Sequence, residues 1–208
     1  MMKKFNDEFK KRLNKSVSDI EDSSQVESVV IIKSKSGNYL PYGFCAAALF
    51  SFLLFSFFMF SPMEFDSYYM YFVSVSVFVL LFAAFVFIPT FLRLVVPTKI
   101  LKKNSEICAR AIFQKGGLSN TRQHTGFLVY CSVFERQTVI ITDSGIRTSI
   151  PENDLNTLNN LFVNALKKGN QQDNIISALE AAVPIFAKYL PHRDDDINEI
   201  PDDLDVNL

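Results

Sequence analysis

YGFCAAALFSFLLFSFFMF, residues 42–60, contains no charged side chain, and neither does YMYFVSVSVFVLLFAAFVFIPTFL, residues 69–92. At about 1.5 Å per residue, each run is long enough to cross a hydrocarbon core of about 30 Å. The wider stretch 39–92 holds 14 of the 21 phenylalanines and only two charges, Glu64 and Asp66. Working outward, the other 154 positions carry 41 of the 43 charged side chains, the balance of an ordinary soluble domain. The chain therefore reads as two materials, a helical hairpin expected to span a membrane and an aqueous part contributed from both sides of it.

A secretory signal is a poor reading, because about 40 residues separate the basic start from the first apolar run. Lys33 and Lys35 precede the hairpin, and Arg93, Lys99, Lys102 and Lys103 follow it. The connector 61–68 has no base. By the positive-inside rule both termini are expected in the cytoplasm, with Tyr39, Tyr42, Tyr68, Tyr69 and Tyr71 as interfacial anchors. Arg93, Lys99, Lys102 and Lys103 are expected at the membrane interface, either lying in the headgroup layer beside anionic lipid or serving as a plain stop-transfer flank. Neither run carries an internal acid, base or histidine, and its serines, Ser51, Ser56, Ser74 and Ser76, define no ion path. The hairpin reads as an anchor, with membrane lipid as one partner.

In the aqueous part, Phe5, Phe9, Leu13, Val17 and Ile20 form one stripe of an amphipathic helix over 4–23. Val29 to Ile32, inside a strand expected over 28–33, is a β-branched run of the kind buried on both faces. Its neighbours come only after the hairpin: strands over 126–132 and 137–142, joined by the short turn 133–136 as an antiparallel pair. The sheet is thus expected to be built across the insertion. A helix over 104–115 is stopped by Gly116 and Gly117, and Ser149 with Glu152 spells a capping box for a helix reaching Gly169. A last helix over 173–190 is expected to be bent or interrupted at Pro184 and ended by Pro191. The order is α, β, hairpin, α, β, β, α, α. The expected divisions are 1–38, 39–92, 93–193 and an acidic tail, 194–208, with seven acids and no base.

The net charge of −1 and the lack of any nucleic-acid-binding signature exclude nucleic acid as a partner. Three cysteines, Cys45, Cys108 and Cys131, without a C-x-x-C pair, support neither a disulfide framework nor a zinc site and read as small buried apolar residues kept reduced, Cys45 within lipid. No common enzyme motif is present. The polar residues expected to gather in loops at the strand ends are Arg122, His124, Glu135, Arg136, Asp143, Glu152 and Asp154. As a hydrolytic site, Asp143 would act as nucleophile or metal ligand, with Arg136 and Glu135 beside it. As structural residues, Glu135 and Arg136 shape and solubilise a turn, while Asp143 accepts backbone N–H bonds toward Gly145 at positive φ. The third use is a protein-binding surface formed by Arg122, His124, Phe134, Glu135 and Arg136. His124 has no partner at a recognisable spacing.

The segments Thr125-Gly126-Phe127-Leu128-Val129-Tyr130-Cys131-Ser132, Phe134-Glu135-Arg136 and Val139-Ile140-Ile141-Thr142-Asp143-Ser144-Gly145-Ile146 resemble the core of TPM-domain proteins. In that family a T/N-G-V-L strand, an E-R turn and a D-x-G-I ending recur. The wider resemblance is to small bacterial membrane members whose domain is split by a two-helix insertion and whose end is similar to Asn198-Glu199-Ile200-Pro201-Asp202. It implies an α/β domain of three or more strands flanked by helices, with an inserted two-helix transmembrane hairpin, as a multi-pass protein of a bacterial inner membrane. It also implies a function among several: binding, assembly or modulation of other membrane proteins, or acid phosphatase activity. A divalent cation is implied by the resemblance only. The family's acidic metal pattern is not reproduced by Asn6-Asp7 or by Asp154, and no metal site is carried over.

Overall fold

Residue 29 lies opposite residue 128, a pairing that brings together two segments separated by both apolar runs. The computed structural model of the chain describes residues 7–165 and 170–192, with backbone alone for 120 and 164. The expected acidic tail, the start of the first helix with Phe5, and the stretch 166–169 lie outside the described residues.

The elements run α1 (Asp7–Ser23), β1 (Glu27–Lys33), α2 (Leu40–Phe60), α3 (Ser67–Phe87), α4 (Pro89–Val95), α5 (Thr98–Lys115), a 3-10 turn (Leu118–Asn120), β2 (Gly126–Ser132), β3 (Gln137–Thr142), α6 (Ser144–Ser149), α7 (Glu152–Ala165) and α8 (Gln171–Tyr189). The described residues form two compact units, one built from those up to residue 36 and from 102 onward, the other from 37–101.

In the first unit a three-stranded sheet has the order β1-β2-β3, with β1 parallel and β3 antiparallel to β2. All seven residues of the central β2 are buried, which is why its sequence is apolar on both faces. On one face Val30, Ile32, Phe127, Val129 and Cys131 pack with Phe9, Leu13 and Ile20 of α1, Phe162 of α7, and Leu179 and Phe186 of α8. The Phe127 ring meets Phe186 edge-on at 4.9 Å between centroids. On the other face Val29, Ile31, Leu128 and Tyr130 pack with Ala109 and Phe113 of α5 and with Leu118. Helices thus cover both faces of a mixed sheet, the expected fold class.

Several details differ from the sequence expectation. α5 starts at Thr98 instead of 104, because the Pro97 carbonyl accepts from the N–H groups of Ile100 and Leu101 and opens the helix there. Ser149 does not cap α7; it ends the unforeseen α6, and the Pro151 carbonyl receives the N–H groups of Asp154 and Leu155. α8 runs through Pro184 uninterrupted. Pro184 and Glu180, whose carbonyl loses its helical donor to the proline, both lie on the exposed side of the helix.

In the second unit α2 and α3 are each 21 residues, long and apolar enough to cross a membrane. They pack against each other: Ser51 Oγ donates to the Ser74 carbonyl at 2.8 Å, and the Phe44 ring meets Phe78 and Phe82 at 5.5 and 5.8 Å. Asp66 caps α3 by accepting from the N–H groups of Tyr68 and Tyr69. The second apolar run is not one helix to residue 92. It breaks at Ile88, at φ −117° and ψ 91°, because the ring of Pro89 excludes the helical region for the residue before it, and α4 begins anew.

Candidate functional site

The residues expected in one polar group are divided between the two ends of the sheet. The turn 133–136 closes β2 and β3 at one end, while 121–125 and Asp143 stand at the other, about 20 Å away along seven strand residues. Asp143 and Arg136 therefore do not share a site, nor does Asp143 with Glu135.

At the turn end, Glu135 is fully buried and neither solubilises the turn nor faces solvent. Its carboxylate accepts from the Ser36 backbone N–H at 2.6 Å and from Ser132 Oγ. Ser36 Oγ donates to Ser132 Oγ at 2.9 Å, which leaves it to accept from Tyr130 Oη at 2.8 Å. Burial, with a hydrogen bond to Cys108 second, pushes the Tyr130 phenol well above its ordinary range, so it stays a donor. Hydroxyl donors thus point in series from Tyr130 through Ser36 and Ser132 to the carboxylate. The turn's own backbone continues the ladder with the end of β1, Val133 N–H to the Lys33 carbonyl and Phe134 N–H to that of Ser34. Arg136, in contrast, is exposed and adopts φ 52° in the left-handed region. Phe134 is half-buried. Lys33 Nζ lies 3.9 Å from the half-buried Cys108, so that cysteine is not the fully buried apolar residue expected.

At the opposite end, His124 does have a partner. Its Nδ1 lies 3.2 Å from Asp143 Oδ2; the imidazole is 58% exposed and the carboxylate 13%. Asp143 Oδ1 also accepts from the Ser144 N–H and caps α6. His124 sits at φ 55° in a turn closed by its N–H to the Thr121 carbonyl. Gly145 donates to the His124 carbonyl at 2.9 Å, and a Cβ on it would stand 2.3 Å from the Gln123 oxygen and 2.7 Å from the His124 oxygen. Glycine is required there for close approach inside a helix, not for positive φ. Arg122 is exposed beside this turn.

The other expected residues lie elsewhere. Asp154 Oδ2 accepts from Tyr189 Oη at 2.7 Å, tying α7 to α8. Glu152 is exposed in the first turn of α7. Lys99, Lys102 and Lys103 are exposed on α5, and Arg93 is half-buried on α4. Among the described residues no three His, Cys, Asp or Glu side chains gather as a metal ion requires. Sequence reasoning missed Ser36 and Ser132 as partners of Glu135, Tyr130 as the partner of Ser36, and Asp143 as the partner of His124. Only the strand register brings them together.

Compared with known proteins, residues 90–184 match the family model of the TPM domain. Among solved structures, the chain is similar to the NMR structure of BA42 protein from the psychrophilic bacterium Bizionia argentinensis. The identity is 19%, the match covers 97% of this chain and 95% of that one, and the TM-score is 0.58, a likeness of fold. Comparison with curated proteins finds no match.

Proposed function

As a chain that carries a TPM domain beside two helices long and apolar enough to cross a membrane, the protein is, we propose, a multi-pass membrane protein whose α/β unit serves as a binding, assembly or modulatory module for other membrane proteins. By the positive-inside rule both termini lie on the cytoplasmic side, of a bacterial inner membrane by the resemblance drawn above. The observation that carries the binding role is the opposite placement of two adjacent turn residues, Glu135 buried and bonded to Ser36, Arg136 exposed. A turn tethered from within offers Phe134 and Arg136 in one conformation, and a partner then loses little in ordering it. The partners are membrane or membrane-associated proteins, and no step is assigned to a divalent cation.

A photo-crosslinking residue at position 136, in the full chain in its native membrane, should capture one reproducible partner. Pull-down of that partner should be lost in Phe134→Ala and kept in Arg147→Ala. Loss in both, or in neither, counts against the role of the turn. Reporter fusions in 61–68 and after residue 208 should read outside and inside respectively.

The His124–Asp143 pair supports a second reading, a membrane-anchored phosphatase. A carboxylate on Nδ1 orients the ring and leaves Nε2 toward solvent, where it can serve as general base to a water attacking phosphorus. Arg122, exposed on the same turn, would hold the phosphate. Hydrolysis of an aryl phosphate by the purified full chain, abolished in His124→Ala, supports it; activity unchanged in that variant removes it.

A further inference from the structure

The segment after α3 turns back instead of continuing. A Cβ added at Gly43, in the first turn of α2, would come within 3.0 Å of both Phe85 Cβ and Leu92 Cδ1. Those two atoms are therefore no farther apart than twice that distance. Seven residues along an unbroken helix would separate them by about 10 Å along the axis, more than a leucine side chain can make up. α4 is thus folded beside the start of α2, a geometry the break at Ile88 permits.

This placement gives α4 two unlike sides. Leu92 is buried, as is Val96 just beyond the helix. Phe91 and Leu94, three residues apart and so on one face, are exposed at 47% and 77%. Immediately after α4, Lys99, Lys102 and Lys103 recur at i, i+3 and i+4 on one exposed face of the first turns of α5. No acid occurs anywhere in 67–105. An exposed apolar face joined directly to a helix able to cross a membrane, and followed by three exposed lysines of which, among the described residues, Lys102 alone has a carboxylate nearby, Glu106 at 3.9 Å, complements a leaflet bearing negative headgroups.

We propose that α4 is an interfacial helix. Phe91 and Leu94 lie in the acyl boundary of the leaflet on the side of the termini, and Lys99, Lys102 and Lys103 bind the phosphates of anionic lipid. This inference rests on the reading of α2 and α3 as membrane spans, and the experiment separates the two. The chain contains no tryptophan, so a single substitution gives a sole fluorophore. The full chain, as Leu94→Trp or as Phe52→Trp, is reconstituted into phosphatidylcholine vesicles containing phosphatidylglycerol, with bromines on one lipid at a time.

Phe52→Trp, near the middle of α2, should lose its fluorescence to bromines deep in the acyl chains. Leu94→Trp should shift to the blue and lose most of its emission to bromines near the headgroups. At equal mole fraction its quenching by brominated phosphatidylglycerol should exceed that by brominated phosphatidylcholine, and the excess should vanish in the triple variant Lys99→Gln, Lys102→Gln, Lys103→Gln. If Phe52→Trp is quenched and Leu94→Trp stays water-exposed, α4 is not interfacial although the spans stand. Equal quenching by the two lipids overturns the headgroup contact. Phe52→Trp left unquenched overturns the spans and this inference together.

Discussion

The backbone N–H of Ser36 donates to the Glu135 carboxylate at 2.6 Å, across 99 residues of sequence. Ser36 is the last residue before the unit that contains the apolar helices, and Glu135 lies in the turn between β2 and β3. One buried side chain therefore fixes the exit of β1 and the shape of the hairpin turn together.

Replacing Glu135 by Ala should leave the Ser36 N–H and the Ser132 hydroxyl buried without their acceptor, at a cost of about 2–3 kcal/mol. Arg136→Gly removes a left-handed side-chain conformation while making the unfolded chain more flexible, and the two effects should leave stability within about 1 kcal/mol of the parent. Chemical denaturation of the full chain in detergent measures both. Equal losses in the two variants would mean that Glu135 does not tether the turn.

Gly145→Ala should be far more damaging than Gly117→Ala. At Gly145 a Cβ meets two backbone oxygens that cannot yield without unmaking the His124 turn, and a loss of about 3 kcal/mol or more is expected. At Gly117, φ is 78° with open space around the missing Cβ, so only the left-handed conformation is penalised, by about 1–2 kcal/mol. The order of the two midpoints in urea tests the placement of α6 against 121–125.

How much of this was legible in the sequence follows from the range of the interactions concerned. The bounds of β2 and β3 coincide with their expectation, because continuous apolar and β-branched runs ended by a short turn depend on neighbouring residues alone. α6 escaped notice because Ser144 to Ser149 offers only six residues, without a hydrophobic stripe, and its Asp143 cap doubles as a turn signal. Glu135 looked like a solvated turn residue, since nothing near it in the chain announces Ser36. His124 looked solitary because Asp143 is 19 residues away and becomes its neighbour only when β2 and β3 pair. The same pairing separates Asp143 from Arg136, which are closer in sequence than in space.

Phe127→Ala should cost about 3–5 kcal/mol, since the ring is fully buried between Phe162 and Phe186 and its removal leaves a cavity in the larger core. Val139→Ala, on the edge strand and only half-buried, should cost about 1 kcal/mol. Comparable losses at the two positions would argue against β2 as the centre of the sheet.

Stability should also fall on the alkaline side in a way traceable to Cys131. Burial pushes its thiol from the ordinary 9.0 up to about 12, against a smaller lowering by the hydrogen bond to Thr138. The folded state therefore holds its proton where the unfolded state releases it. The contribution is complete below pH 9, declines as pH rises above that value, and is exhausted only near the folded value. In that window the slope should approach about 1.4 kcal/mol per pH unit. The Tyr130 phenol, raised chiefly by burial, adds a loss of the same sign that begins higher, near its ordinary 10.0. Urea midpoints of the full chain in detergent, taken between about pH 8 and pH 10.5, should be flat at first and then descend. Cys131→Ala should delay the descent until Tyr130 begins to titrate in the unfolded chain. A parent protein equally stable across the whole range, or a Cys131→Ala variant with an unaltered profile, would show that the thiol does not hold its proton in the folded sheet.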